Sequence, residues 1–311
     1  MAILFIKFAI GLVLLLFSTE KFVRLAERIA KVLKISPLIV GITIVAIGTS
    51  IPELVVSVIS MFKQDTNLAM GNIIGSNIVN VLLILPVGIL IGAMKIGRIK
   101  TQQSALFLLG STAIFLFVHF VQVSHVISGA VLIGLAVAFS IMEYYLGVEG
   151  RDHEDIKQHA KNQKIGAITL AQVIIGIFLL LLIIVGGILI VESVEAISLF
   201  TGLSTSILGL TLTAVATSLP ELLTTIYSQN NNQEKITVGN ILGSNVYNLM
   251  LIGGILMLFP IQTFISQKEL IWLGATTIGF VAFLRFYSGR RPSKLVGILL
   301  LLTLLLYLRF Q

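Results

Sequence analysis

The chain contains no cysteine in 311 residues, which excludes disulfides, thiolate metal centres and cysteine nucleophiles. Charge is also scarce: Asp, Glu, Lys and Arg together make up 11%, far less than the surface of a soluble domain requires. Apolar residues fill the sequence instead, at 57% with a mean hydropathy of +1.05. Runs long enough to cross roughly 30 Å of hydrocarbon recur along its length. The composition therefore describes a multi-pass membrane protein whose partner is the lipid bilayer. A net charge of +7 could suggest nucleic acid, but the basic residues sit in short clusters between apolar runs, the arrangement that orients membrane spans. No nucleic-acid partner is expected. Residues 1–17 resemble a signal peptide, yet Ser18-Thr19-Glu20-Lys21-Phe22 follows in place of a small-x-small cleavage site, so a retained first helix is expected.

The apolar runs place spans at 2–20, 37–62, 69–92, 102–120 and 124–146, then at 165–191, 204–228, 236–259, 268–286 and 294–310. Ten spans put 17 of the 21 basic residues on one side, all but Lys7, Lys63, Lys268 and Arg309. Positive charge marks the cytoplasmic side, so both termini are expected outside. The longest polar connection, 147–164, is then a cytoplasmic loop. Its His153 and His159 are six residues apart, not the four that a metal-binding helix face needs. A solvated loop is expected.

The sequence also repeats itself. Residues 41–53, GITIVAIGTSIPE, align with residues 209–221, GLTLTAVATSLPE. Residues 71–80, GNIIGSNIVN, align with residues 239–248, GNILGSNVYN. Both pairs are offset by 168 residues without a gap, and 16 of the 40 positions between 41 and 80 are identical to their counterparts. The offset equals five spans. Because five is odd, the second copy crosses the membrane in the opposite sense. The expected fold is all-α integral membrane, with ten transmembrane helices as two inverted five-helix repeats: residues 1–146, then the 147–164 loop, then residues 165–311. Such repeats place a substrate site near the bilayer midplane, between the halves.

Glu53 and Glu221 fall about halfway along their spans, with no Lys or Arg mid-span in either repeated segment. A carboxylate at that depth marks a functional site, and its partner is a proton or a cation. Pro52 and Pro220 precede them and free the carbonyls of Gly48 and Ala216; such carbonyls are tolerated in a membrane where they line a polar cavity. Ala46, Ser50 and Glu53 share a helix face, as do Ala214, Ser218 and Glu221, with Thr49 and Thr217 adjacent. On the following spans Asn72, Ser76 and Asn80 recur every four residues, and so do Asn240, Ser244 and Asn248. Every group offers oxygen and none is His or Cys, which suits a hard cation such as Ca2+ with its six to eight oxygen ligands. Gly71, Gly75, Gly239 and Gly243 are assigned to close helix packing.

These segments resemble the paired alpha-repeats of the calcium/cation antiporter superfamily, and within it the Na+/Ca2+ exchangers. The resemblance implies clustered midplane ion sites with Glu53 and Glu221 as central ligands. Matching positions complete them with Thr49, Ser50, Ser76, Asn80, Thr217, Ser218, Ser244 and Asn248, and with main-chain carbonyls at Ala46 and Ala214 for Na+. It implies Ca2+ and Na+ as transported ions, no cofactor, no enzymatic activity, and a monomer sufficient for transport in a prokaryotic plasma or inner membrane. Some family members carry Asp at the position of Asn248. The proton/calcium exchangers carry an acidic residue in the Gly-Asn motif where this sequence has Gly75 and Gly243, which favours Na+ as driving ion. A Ca2+/H+ antiporter is the nearest alternative. A cation channel fits less well, since inverted halves in one chain suit alternating access. No intramembrane Asp pair or Ser/His pair supports an enzyme.

Overall fold

The computed structural model describes residues 2–32, 46–92, 94, 96, 99–121, 124–148, 169–230, 234–259 and 266–310. The 147–164 loop falls outside them except for its first two residues, as do both histidines assigned to it and residues 41–45 of the first repeat copy. The described residues form helices and no strand. Seven of these helices are long and apolar enough to cross a membrane, and a bent pair makes an eighth. Two shorter helices, Ile51–Phe62 and Lys294–Arg309, lie where the sequence predicts the spans 37–62 and 294–310.

The first half comprises α1 (Ala2–Val32), α2 (Ala46–Thr49), α3 (Ile51–Phe62), α4 (Thr66–Val79), a π-helical turn π1 (Asn80–Ile84), α5 (Leu85–Ile91), α6 (Ile99–Val121) and α7 (His125–Val148). The second comprises α8 (Leu170–Thr201), α9 (Thr205–Leu208), π2 (Gly209–Thr213), α10 (Ala214–Thr217), α11 (Leu219–Asn230), α12 (Glu234–Tyr247), π3 (Asn248–Ile252), α13 (Gly253–Met257), α14 (Gln267–Phe286) and α15 (Lys294–Arg309).

Burial sorts these helices by role. The central windows of Thr66–Ile91 and Thr237–Met257 are 83% buried, whereas those of α1, α7 and α8 are 28% buried. The two repeated Gly-Asn segments thus form the middle of the molecule. The outer helices turn Leu, Ile, Val and Phe outward, among them Ile3, Ile10, Ile174, Phe178 and Leu181, as a lipid-facing surface requires. α1 packs along α8, and both lean on α3. Their seam is drawn tight by Gly11 and Gly186: a Cβ on Gly11 would sit 2.9 Å from the Gly186 carbonyl oxygen. A small apolar cluster holding Leu15, Val56, Ile190 and Val194 fills this corner. The larger core runs through α4, π1, α12 and π3 to α6, α14 and α15.

The central crossing is closer still. A Cβ on Gly71 would lie 2.7 Å from the Ser206 carbonyl oxygen, and one on Gly75 2.6 Å from that of Leu210. From the other side, a Cβ on Gly209 would lie 2.9 Å from the Leu68 carbonyl oxygen. Backbone therefore meets backbone where α4 crosses π2, as the small residues at these positions predict. Around Gly239 and Gly243 no described atom lies within 4 Å of where their Cβ atoms would be, and residues 38, 41 and 42, which match Ser206, Gly209 and Leu210, lie outside the described residues. The packing assigned to them is not seen among the described residues.

Candidate cation site

Both glutamate-bearing helices are interrupted one residue before their Leu/Ile-Pro-Glu sequence. The first breaks at Ser50 (φ −90°, ψ 7°) and the second at Ser218 (φ −81°, ψ 10°), so positions 168 apart adopt nearly the same backbone. The reason is local. A proline nitrogen has no hydrogen to donate and is tolerated in the first turn of a helix, where no partner is required. The chain therefore ends one helix and begins another around it, and the two pieces at Ser218 meet at 40°.

Each break delivers a fully buried carboxylate, with Glu53 and Glu221 both 0% exposed. Each is gripped from elsewhere in the molecule. Ser218 Oγ donates to Glu53 Oε1 at 3.1 Å, which joins the second copy to the first. Ser244 Oγ donates to Glu221 Oε1 at 3.0 Å, and Thr49 Oγ1 lies 3.4 Å from Ser244 Oγ. Neither carboxylate takes part in any of the four ion pairs found among the described residues.

The remaining contacts follow the same repeat. Thr217 Oγ1 reaches Asn72 Oδ1 at 3.2 Å, and Thr49 Oγ1 reaches the counterpart Asn240 Oδ1 at 3.4 Å. Ser76 Oγ stands 3.5 Å from Thr217 Oγ1. The Ala214 carbonyl accepts from the Ser218 N–H at 3.1 Å and faces Thr217 Oγ1 at 3.4 Å. Ala46 opens α2, in the described part of the first broken helix. Asn80 Nδ2 donates to Asn245 Oδ1 at 2.9 Å. The Asn248 side chain makes no hydrogen bond to any described residue. Both asparagines open π turns, Asn80–Ile84 and Asn248–Ile252, again 168 residues apart.

Five buried oxygens of the predicted residues have no hydrogen-bond partner among the described residues: Glu53 Oε2, Glu221 Oε2, Ser50 Oγ, Asn80 Oδ1 and Asn248 Oδ1. A buried acceptor left unpaired costs about 1–3 kcal/mol, more if charged, so this many in one region point to something they serve together. The donor chemistry is hard oxygen with two carboxylates. No group of three or more His, Cys, Asp and Glu residues occurs among the described residues, which separates this arrangement from the carboxylate-rich loops of soluble Ca2+ proteins.

Sequence reasoning did not assign Asn77 and Asn245. Asn245 holds Asn80 in place and donates to the Asn77 carbonyl at 3.4 Å, which ties the two central helices together. Asn72 was placed on the polar face; its Nδ2 bonds the Glu53 carbonyl at 3.3 Å and Ser57 Oγ at 3.0 Å. The repetition of Gly-Ser-Asn in both copies was the available signal.

The family profile described as "Sodium/calcium exchanger protein" matches residues 3–145 and 171–311. The chain belongs to the sodium/calcium exchanger family. Among its relatives, the sodium/calcium exchanger MaX1 of Methanosarcina acetivorans is 31% identical, over 82% of this chain and 83% of that protein. The inner membrane protein YrbG of Escherichia coli is 30% identical, over 94% of this chain and 91% of that protein. A solved structure of the sodium-calcium exchanger NCX_Mj superposes with a TM-score of 0.62 at 27% identity, covering 97% of this chain and 96% of that one. The family gives the repeated segments of this chain their setting: a membrane transporter, not a catalyst.

Proposed function

We propose that this family member exchanges Na+ for Ca2+ across the plasma or inner membrane of a prokaryote, by alternating access around Glu53 and Glu221. One observation carries the reading. Two fully buried carboxylates, one from each repeat, each keep an oxygen without a partner among the described residues, and no described basic side chain pairs with either. Two negative charges in a dry site require compensating charge. A single Ca2+ supplies it, and so do several Na+, but the site cannot hold both loads. The unloaded, doubly charged site is too costly to carry between states, and this is the physical origin of exchange.

In this reading Thr49, Ser50, Ser76, Asn80, Thr217, Ser218, Ser244 and Asn248 complete the oxygen shell, with the carbonyls of Ala46 and Ala214 serving Na+. The chain has ten spans in two inverted repeats, residues 1–146 and 165–311, with the 147–164 loop cytoplasmic and both termini outside. The matching breaks at Ser50 and Ser218 and the matching π turns support that pairing of halves. A monomer suffices, because both repeats lie in one chain. Na+ is favoured over H+ because Gly75 and Gly243 stand where proton-coupled members carry acidic residues.

Equilibrium binding tests the reading without transport. Purified protein in detergent should bind 45Ca2+, and Na+ should displace it with a steep dependence on concentration. Displacement by protons but not by Na+ would turn the assignment to Ca2+/H+ exchange.

A further inference from the structure

Beyond Glu221, α11 carries a file of buried polar side chains that the exchange site does not use. Thr225, Ser228 and Gln229 follow Glu221 on one face, and all are buried. They meet Thr237 on α12. Gln229 Nε2 donates to Thr237 Oγ1 at 2.9 Å, and Thr237 Oγ1 lies 2.6 Å from Ser228 Oγ. Ser228 Oγ donates to the Thr225 carbonyl at 3.0 Å. Ser228 has one hydrogen, already used, so Thr237 is the donor between the two hydroxyls. The chain of bonds thus runs one way, from the Gln229 amide to the Thr225 carbonyl.

That direction leaves acceptors over. Gln229 Oε1 and Thr225 Oγ1 have no partner among the described residues, although Gln229 is 5% exposed and Thr225 is 0% exposed. Gly88 and Gly92 at the end of α5 face them. A Cβ on Gly88 would lie 3.1 Å from Thr225 Cγ2 and 3.3 Å from Thr237 Cγ2, and one on Gly92 would collide with the Gln229 side-chain oxygen. The ends of α5, α11 and α12 therefore close around these unpartnered oxygens, between Glu221 and the partly exposed Gly92.

The other repeat has nothing of the kind. The positions matching Gln229 and Thr237 are Met61 and Ala69, and the hydroxyls matching Thr225 and Ser228 are satisfied: Ser57 donates to the Ala69 carbonyl and Ser60 to the Val56 carbonyl. The polar file is a property of one side of the molecule.

We propose that Thr225, Ser228, Gln229 and Thr237 form a second, uncharged cation station, where a hard cation exchanges part of its water shell on its way between Glu221 and the membrane face at which α5 ends. This rests on the exchange reading above. Without a carboxylate the station binds weakly, as a transit site requires, and in the ten-span topology it faces the cytoplasm.

Ca2+/Ca2+ exchange in right-side-out and inside-out vesicles tests this without reference to the driving ion. With Gln229→Leu, the half-saturating Ca2+ on the α5-end face should rise about fivefold, as loss of one polar contact gives. With Gln229→Glu it should fall by a similar factor. The opposite face should be unchanged in both. The Glu variant decides alone if the Leu variant does not fold, since a merely structural glutamine gives no gain of affinity on one face. Unchanged values, or equal shifts on both faces, would overturn the station. A wild type that exchanges Ca2+ for Ca2+ without any response to Na+ would refute the Na+ coupling alone and leave this comparison readable.

Discussion

Each central carboxylate divides its two oxygens between tasks. Oε1 of Glu53 is held by Ser218 and Oε1 of Glu221 by Ser244, while Oε2 of both has no partner among the described residues. Replacing Glu53 or Glu221 by Gln keeps the shape and the accepted hydrogen bond but removes one of two charges. Either change should reduce Ca2+ flux by on the order of 100-fold or more, the scale expected when a buried charge loses its counterpart. Size-exclusion profiles should stay those of the wild type, and wild-type flux in either variant would remove the basis of the assignment. Ser218→Ala and Ser244→Ala each remove a hydrogen bond to a carboxylate and one oxygen of the proposed shell but no charge, so a smaller loss, of about tenfold, is expected. The glutamates, their serines and the two π-opening asparagines were legible from the repeated motifs. The amide links Asn80–Asn245 and Asn245–Asn77 were not, because an asparagine's partner depends on which helix lies opposite, and nothing within one motif states that.

At the scale of elements, the prolines announced the two breaks and the glycines announced the crossing of α4 with π2. The π turns had no comparable signal: Asn80-Val-Leu-Leu-Ile and Asn248-Leu-Met-Leu-Ile read as ordinary apolar helix, and the wider turn is a product of packing around it. The crossing itself can be tested. Gly75→Ala drives a Cβ toward the Leu210 carbonyl oxygen and Ala214 Cβ, which are backbone and core and cannot yield cheaply. It should lower the thermal midpoint in detergent, with a cost of about 1–3 kcal/mol as for other overpacked sites. Gly134→Ala on α7, where no described atom lies within 4 Å of the added Cβ, should leave the midpoint unchanged or raise it slightly through helix propensity. Equal midpoints for the two variants would contradict the close crossing.

At the scale of the whole molecule, the charge pattern of the sequence and the contacts of the structure meet at the exceptions. Lys7 and Lys63 are two of the four basic residues that the proposed ten-span topology leaves off the basic side. Lys7 pairs with Glu192 at 2.6 Å, and Lys63 pairs with Glu192 at 3.5 Å and Glu195 at 3.2 Å. They join α1, α3 and α8 at one end, so their charge is locally answered. The absence of cysteine makes orientation simple to measure. A single cysteine at Gln158 should react with an impermeant thiol reagent only after the membrane is opened. Labelling in intact cells would contradict the cytoplasmic placement of the 147–164 loop and with it the inverted sense of the halves. The membrane-spanning character was legible as apolar runs, and seven helices and a bent pair are long and apolar enough to cross; a helix interrupted near its middle, as at Ser50 and Ser218, divides a run into pieces too short to count alone.

Asn248 bears on the ion balance of the whole transporter. An amide brings no charge, so in the proposed site only Glu53 and Glu221 are charged, without a third charge to neutralise a co-transported K+. The most direct measurement is therefore 45Ca2+ uptake into proteoliposomes loaded with Na+, compared with uptake driven by an outward proton gradient, each in K+-free medium and again with K+ on both sides. The account predicts rapid uptake with the Na+ gradient, little with the proton gradient, and no change on adding K+. Uptake driven by protons alone, or Na+-driven uptake that appears only with K+ present, would contradict it.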